Sequence, residues 1–391
     1  MTAAETGLRR TVRARPRATA TADATVSVVV PCFDYGRYLP EAVGSALDQE
    51  GVVVDVVVVD DASTDDSRAV AARLAAADSR VTVVAHAVNQ GPVATFNDGL
   101  ARASGEFLVR LDADDLLTPG SLARAVAVAR AYPSVGLVYG HPLHFTDARP
   151  MPRSRVRGWT VWPGRRWLRD RCVDGYNVIT SPEVLMRRSV VTAVGGQRPL
   201  AHTHDMEMWL RLAAFADVAY VAGADQAWHR DHPASLSARE VDDATDFRER
   251  VAAYAELGSG VAAGVPGMAD LVAAAHGAMV RQVLRACRYE VDRGRRDPER
   301  VRRLMTEALT VDPRLAADRT WLTLTAALDG PPPGPLARTT GLARAVQVRA
   351  EDVLRVHRWR RTGTYTAARR PPFAGAAGEP VPATGPRRWP T

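Results

Sequence analysis

Val52-Val53-Val54-Asp55-Val56-Val57-Val58-Val59-Asp60-Asp61 is a run of β-branched residues broken once and closed by two carboxylates. Strict alternation of polar and apolar residues would mark a strand with one wet face. A nearly continuous run marks a strand covered on both faces, as in parallel sheets sandwiched by helices. Working outward, Val26 to Val30 read as a buried strand, and Tyr38 to Gln49 carry Leu39, Val43, Ala46 and Leu47 at helical spacing. After the run come a helix over Ser63 to Ala77, a strand over Val81 to Ala85 and a helix over Pro92 to Ala103. A strand with Phe107, Val109 and Leu111 on one face follows, then another over Val135 to Tyr139. This alternation predicts an α/β fold, a doubly wound, mostly parallel sheet flanked by helices.

In such sheets ligands bind beyond the carboxyl ends of the strands. Polar residues cluster at those ends: Pro31, Cys32, Phe33 and Asp34; Asp60 and Asp61; His86 and Asn89; Asp112 and Asp114. The stretch Leu111-Asp112-Ala113-Asp114-Asp115 sets three carboxylates close together, where they repel unless a cation sits among them. A hard divalent ion with oxygen ligands is the expected occupant, and such ions most often hold phosphates. Simpler readings compete at several positions. Asp115 suits an acidic loop before a helix near Ser121. Ser63 or Thr64 suits a helix cap, with Asp65 and Asp66 favoured by the helix dipole. Asn89-Gln90-Gly91 before Pro92 suits a tight turn.

The chain has 391 residues and a formal charge of +7, and all 51 of its basic residues are arginine. Without lysine there is no Schiff-base lysine and no lysine-bearing phosphate loop, so phosphate must be held otherwise. The positive charge is dispersed except in the tails and lacks aromatic interleaving, which argues against a nucleic-acid partner. The 3 cysteines are far apart and odd in number, matching no disulfide framework. No apolar run reaches membrane-spanning length and no signal-peptide pattern opens the chain, so a cytoplasmic location is expected, with a membrane-peripheral one as its variant. The organisation expected is a disordered basic arm over 1–24, a catalytic domain over 25–240 and a helical appendage over 241–330. A Pro/Arg-rich helix and disordered tail fill 331–391.

Several ordered pieces then stand out: Val-Ser-Val-Val-Val-Pro-Cys-Phe-Asp, Val-Val-Asp-Asp-Ala-Ser-Thr-Asp, Asn-Gln-Gly-Pro, Leu-Asp-Ala-Asp-Asp, His-Asp-Met-Glu-Met-Trp-Leu-Arg-Leu and His-Pro-Ala-Ser-Leu-Ser. In this order and spacing, Thr25 to about Ala238 resembles the family 2 glycosyltransferases of the GT-A fold. The resemblance implies an inverting, metal-dependent enzyme that moves a sugar from a nucleotide diphosphate donor, UDP-linked by family habit, to an acceptor hydroxyl. Pro31, Asp34, Asp61 and Asn89 would then line the nucleotide pocket, with Asp61 accepting a hydrogen bond from the base. Asp112 and Asp114 resemble the Asp-x-Asp element: Asp114 would be the direct ligand of Mn2+ or Mg2+ and Asp112 would lie nearer the ribose or a bound water. His232 resembles the late histidine that closes the site on metal or diphosphate, and it is favoured over His229.

Asp205 is the implied general base, with His204 standing where the family usually has Glu; that histidine would be a neutral neighbour or would pair with Asp205 and lower its pKa. Gly195 and Gly196 resemble the glycine turn before the base, where close approach of backbone to the sugar would exclude a Cβ. The tryptophans Trp159, Trp162 and Trp167 suggest an acceptor side, since aromatic faces stack on sugar rings. The acceptor is expected to be a carbohydrate, a lipid-linked molecule or a small molecule. The Arg344 to Arg361 segment offers peripheral membrane contact. Two rival readings are a zinc hydrolase using His202, His204 and Asp205, and a non-catalytic nucleotide-sugar-binding protein.

Overall fold

The computed structural model describes residues 8–233, 235, 241–294, 297–331 and 334–365. Its strands are β1 (Val12–Ala14), β2 (Thr25–Cys32), β3 (Val53–Asp60), β4 (Val81–Ala85), β5 (Phe107–Arg110), β6 (Leu116–Leu117), β7 (Val135–Phe145), β8 (Gly158–Trp162), β9 (Leu185–Arg187) and β10 (Asp217–Arg230). They form one sheet in the order β1-β8-β10-β7-β9-β5-β2-β3-β4, with β6 added against β10. The pairings β2–β3, β2–β5, β3–β4 and β7–β10 are parallel, and β2–β3 and β7–β10 carry the longest ladders. The short β9 runs antiparallel between β5 and β7 and joins the two parallel blocks.

The helices are α1 (Leu39–Leu47), α2 (Ser67–Ala77), α3 (Pro92–Arg102), α4 (Ser121–Ala131), α5 (Gly164–Asp174), α6 (Arg188–Val194), α7 (His204–Phe215), α8 (Asp243–Ser259), α9 (Met268–Asp292), α10 (Pro298–Val311), α11 (Arg319–Asp329) and α12 (Pro335–Thr362). The β-branched runs divide between two cores, as strand geometry requires. Val26, Val28 and Val30 pack with Leu39, Val43, Val56 and Val58 on one face, while Val29 joins Phe96 and Leu108 on the other. Gly99 of α3 permits this: a Cβ there would stand 2.4 Å from Val29 Cγ1. The doubly wound, mostly parallel arrangement expected from the sequence is thus present, and the helices of residues 241–330 follow it. Their apolar faces, including Phe247, Tyr254, Met279 and Leu304, share a core with Leu168 and Trp209.

Two expectations need correction. The basic arm is ordered where it is described: Val12–Ala14 pairs antiparallel with Trp159–Val161, and the Leu8 N–H donates to Asp217 Oδ2 at 2.8 Å. Residues 1–7 lie outside the described residues, as do 366–391 of the expected tail. The tryptophan stretch is core rather than acceptor surface: Trp159, Trp162 and Trp167 are buried, at 3%, 8% and 2% exposure. The end of α12 is anchored too, with Trp359 Nε1 donating to Val178 O and Tyr139 Oη to Gly363 O. Among the described residues no helix is long and apolar enough to cross a membrane.

Candidate active site

The carboxyl ends of β2, β3 and β5 open on one cavity of about 690 Å³. Its walls include Pro31, Asp34, Asp61, Asn89, Asp112, Asp114 and Asp205, every candidate except His232. His232 reaches the same place from behind: its Nε2 lies 2.8 Å from Asp114 Oδ2, and its ring packs edge-on to Tyr35.

The acidic residues differ sharply in their partners. Asp61 is buried, with Oδ1 2.7 Å from His86 Nδ1 while also accepting the Gln90 N–H, and Oδ2 accepts the Gly91 N–H at 2.9 Å. It therefore organises the Asn89–Gly91 turn, where Gly91 adopts φ 85°. Asp34, at φ 59°, accepts the backbone N–H groups of Thr64 and Asp65 and ties the ends of β2 and β3 together. Asp65 in turn accepts from Gly36 and Ser67, and no side chain of Ser63 or Thr64 caps α2, which begins at Ser67. Asp115 is buried and structural: it accepts the Arg230 N–H at 2.8 Å and pairs with His229 Nδ1 at 3.1 Å. Burial pushes its carboxyl up to about 7. Burial disfavours charge on His229 as well, but the hydrogen bond to Asp115 prevails and raises its ring to about 9.

Asp112 and Asp114 are what the strand end leaves facing the cavity. Burial first, and the negative charge of Asp112 second, push the Asp114 carboxyl upward, with His232 opposing. A cation among these groups would relieve both effects. The donor set fits one: two carboxylates and an imidazole, with His232 Nδ1 buried and without a hydrogen-bond partner among the described residues.

Asp205 opens α7 and faces the same cavity. Burial raises its carboxyl above the usual range, with Arg110 pulling it back down. His204 does not pair with it: Nδ1 lies 3.3 Å from Leu200 O, and burial lowers the ring to about 3, so it is neutral. This agrees with the reading of His204 as a neutral neighbour. Among the described residues, His202, His204 and Asp205 do not gather three ligand atoms within reach of one ion, so the zinc-hydrolase site is not formed.

The glycine turn ahead of α7 is set by the protein itself. Arg211, buried on α7, donates to the carbonyls of Val194, Gly195 and Gly196 while its guanidinium pairs with Glu207. A Cβ on Gly196 would meet Asn97 Oδ1 at 2.2 Å, so Asn97 rather than a sugar excludes it. Asn97 bridges to the Gln197 backbone through both ends of its side-chain amide: Nδ2 donates to Gln197 O and Oδ1 accepts the Gln197 N–H.

Sequence reading missed Arg110. It is a buried cation on β5, paired with Asp112 at 2.8 Å and lining the cavity beside Asp205. The one signal was a charge inside an otherwise apolar strand. Arg37 and Arg230 also line the cavity. On the far side Asn177, Asp246 and Arg250 are shared with a shallower cavity of about 310 Å³ that Tyr176, Arg355 and Tyr365 complete.

Glycosyl transferase family 2 matches residues 27–194. An uncharacterized glycosyltransferase of Nostoc sp. is 39% identical over 115 residues, 29% of this chain and 35% of that protein. A succinoglycan biosynthesis protein of Rhizobium meliloti is 41% identical over 106 residues, 27% of this chain and 30% of its own. A GalNAc(5)-diNAcBac-PP-undecaprenol beta-1,3-glucosyltransferase of Campylobacter jejuni is 37% identical over 99 residues, 25% and 32% respectively. The chain spans about a third of the length of these relatives. Among solved structures, a mannosyltransferase from Pyrobaculum calidifontis in complex with GDP-Man and Mn2+ is 17% identical, with a TM-score of 0.49 over 86% of this chain and 90% of that one.

Proposed function

We propose, from the premise that residues 27–194 of this chain belong to glycosyl transferase family 2, that it moves a sugar from a nucleotide diphosphate donor to an acceptor hydroxyl with inversion at the anomeric carbon. One observation carries the reading: Asp61, Asp112, Asp114 and Asp205, from three separate segments, line a single cavity. Asp61 shapes the wall for the nucleotide with Pro31, Asp34 and Asn89. Asp114 and His232 hold a divalent cation, Mn2+ or Mg2+, with Asp112 beside them. Bound there, the ion supplies Lewis-acid neutralisation of the diphosphate. Arg110 and Arg230 add positive charge in a chain without lysine.

Asp205 takes the acceptor proton. Its raised affinity for protons makes it a better base than an exposed aspartate. As the acceptor oxygen bonds the anomeric carbon, that proton passes to the Asp205 carboxylate. The bond from the anomeric carbon to the phosphate oxygen breaks with its electron pair on the leaving diphosphate. Attack opposite the leaving group inverts configuration. The names of the Rhizobium and Campylobacter relatives favour a saccharide acceptor, free or lipid-linked, entering past Asn177 and Arg250. Exposed Leu342, Val346 and Val353 on the arginine-rich α12 suit peripheral contact with a lipid surface.

A thermal-shift panel of UDP, GDP, TDP and CDP, with and without Mn2+, tests the donor half. One diphosphate should raise the melting temperature only with metal, and Asp114→Asn should abolish that rise. A uniform absence of response in the wild type would refute the reading.

A further inference from the structure

We propose a second metal site, built by His144, His229 and Asp231, that takes a borderline transition ion such as Zn2+ and clamps the end of β10. Sugar transfer as described above assigns these three side chains no task, and His144 and Asp231 lie outside the cavity lining.

The sheet places the ligands. In the parallel β7–β10 ladder His229 stands beside His144 and Arg230 beside Phe145. The Asp231 N–H donates to Phe145 O at 2.8 Å, so the ladder continues one residue beyond the strand. Residues two apart share a face of a strand, which sets Asp231 and His229 on the side His144 occupies. The rings of His144 and His229 are 4.9 Å apart between centroids. His144 Nδ1 lies 3.1 Å and His229 Nε2 3.7 Å from Asp231 Oδ1. One ligand atom from each of the three lies within 4.8 Å of the others. Zinc bonds of about 2.0–2.2 Å in tetrahedral geometry separate ligand atoms by about 3.3–3.6 Å, so small side-chain adjustments close the site.

A further residue prepares it. Buried Asp115 lies 3.1 Å from His229 Nδ1. A carboxylate on one ring nitrogen fixes the ring's orientation and holds the proton there, so an ion at Nε2 need displace only the Nε2 proton, as in carboxylate–histidine–metal triads. Two imidazoles and one carboxylate favour Zn2+ over Mg2+ or Ca2+, and the half-exposed His144 leaves a coordination position for water. The ion would pin the segment leading to His232, which sits on Asp114.

Calorimetric titration of the full chain with ZnCl2, in the absence of nucleotide, tests this. Asp114→Asn removes the cavity site, so zinc still bound to it belongs elsewhere; one equivalent should remain. Added to Asp114→Asn, His144→Ala, on an exposed side chain, should weaken that binding on the order of 100-fold and should erase the remaining zinc-dependent rise in melting temperature. Asp231→Asn should do the same, and neither change made alone should alter the response to diphosphate with Mn2+. The proposal is overturned if adding His144→Ala leaves zinc binding as it is in Asp114→Asn, if Asp114→Asn binds none, or if the wild type binds none. Failure of the donor panel would leave this result unaffected.

Discussion

His232 and Asp114 are 118 positions apart in sequence, yet Nε2 of the one lies 2.8 Å from Oδ2 of the other. The contact brings the segment after β10 onto the end of β5, closing the cavity on the side where Asp112 and Asp114 face it. Because burial and Asp112 both oppose charge on Asp114, the imidazole is one of the groups that keep its carboxylate available.

Replacing His232 with Ala should therefore weaken Mn2+-dependent binding of the donor diphosphate by roughly 10–100-fold. It should also make that binding fall faster as pH drops, since Asp114 would hold its proton more tightly. Calorimetry at two pH values checks both effects.

Asp205 sets the acid limb of turnover. Its carboxyl is raised by burial, and a base works only when ionised, so activity should be lost as pH falls through a value above the ~3.9 of an exposed aspartate. Arg110 opposes the shift, so Arg110→Met should move the limb to higher pH. A kcat/KM profile on which that variant moved the limb downward would contradict this electrostatic assignment.

Asp61 supports structure as well as ligand. In Asp61→Asn an amide NH2 must replace one of the oxygens that accept from Gln90, Gly91 and His86. We expect a loss of about 1–3 kcal/mol in urea unfolding, along with weaker nucleotide binding.

Arg211 should matter more for stability. It is 1% exposed, and its loss strands buried Glu207 and three carbonyls. Arg211→Met should cost about 3–5 kcal/mol. A compensating Glu207→Leu in the same chain should recover much of it, as equilibrium unfolding of the double variant would reveal.

The parallel half of the fold was legible because Val26–Val30, Val52–Val59 and Val81–Ala85 are bounded, β-branched runs with helical periodicity between them. In the other half Val135–Tyr139 was readable but β10 was not, because β10 carries Asp217, Asp225 and Gln226 and reads as polar. Each is satisfied by particular distant groups: Asp217 by Leu8, Ser134 and Gly164, Asp225 by His141 and Arg153, and Gln226 by Ser121 and Arg124. Such long-range pairing leaves no periodic trace. The tryptophans misled for the converse reason: aromatic residues suggested a sugar surface, but Trp159-Thr160-Val161-Trp162 is a strand covered on both faces, with Trp159 in one core and Trp162 in the other. At the cavity, residue types at strand ends were readable, whereas the division of tasks between Asp114 and Asp115 was decided by contacts to His232 and His229.

The most direct test measures donor turnover by Asp205→Asn alongside its affinity for the diphosphate with Mn2+. We predict that turnover falls at least about 100-fold while affinity stays within a factor of about two. Turnover near the wild-type rate would show that the base is another group, and the proposed mechanism would fail.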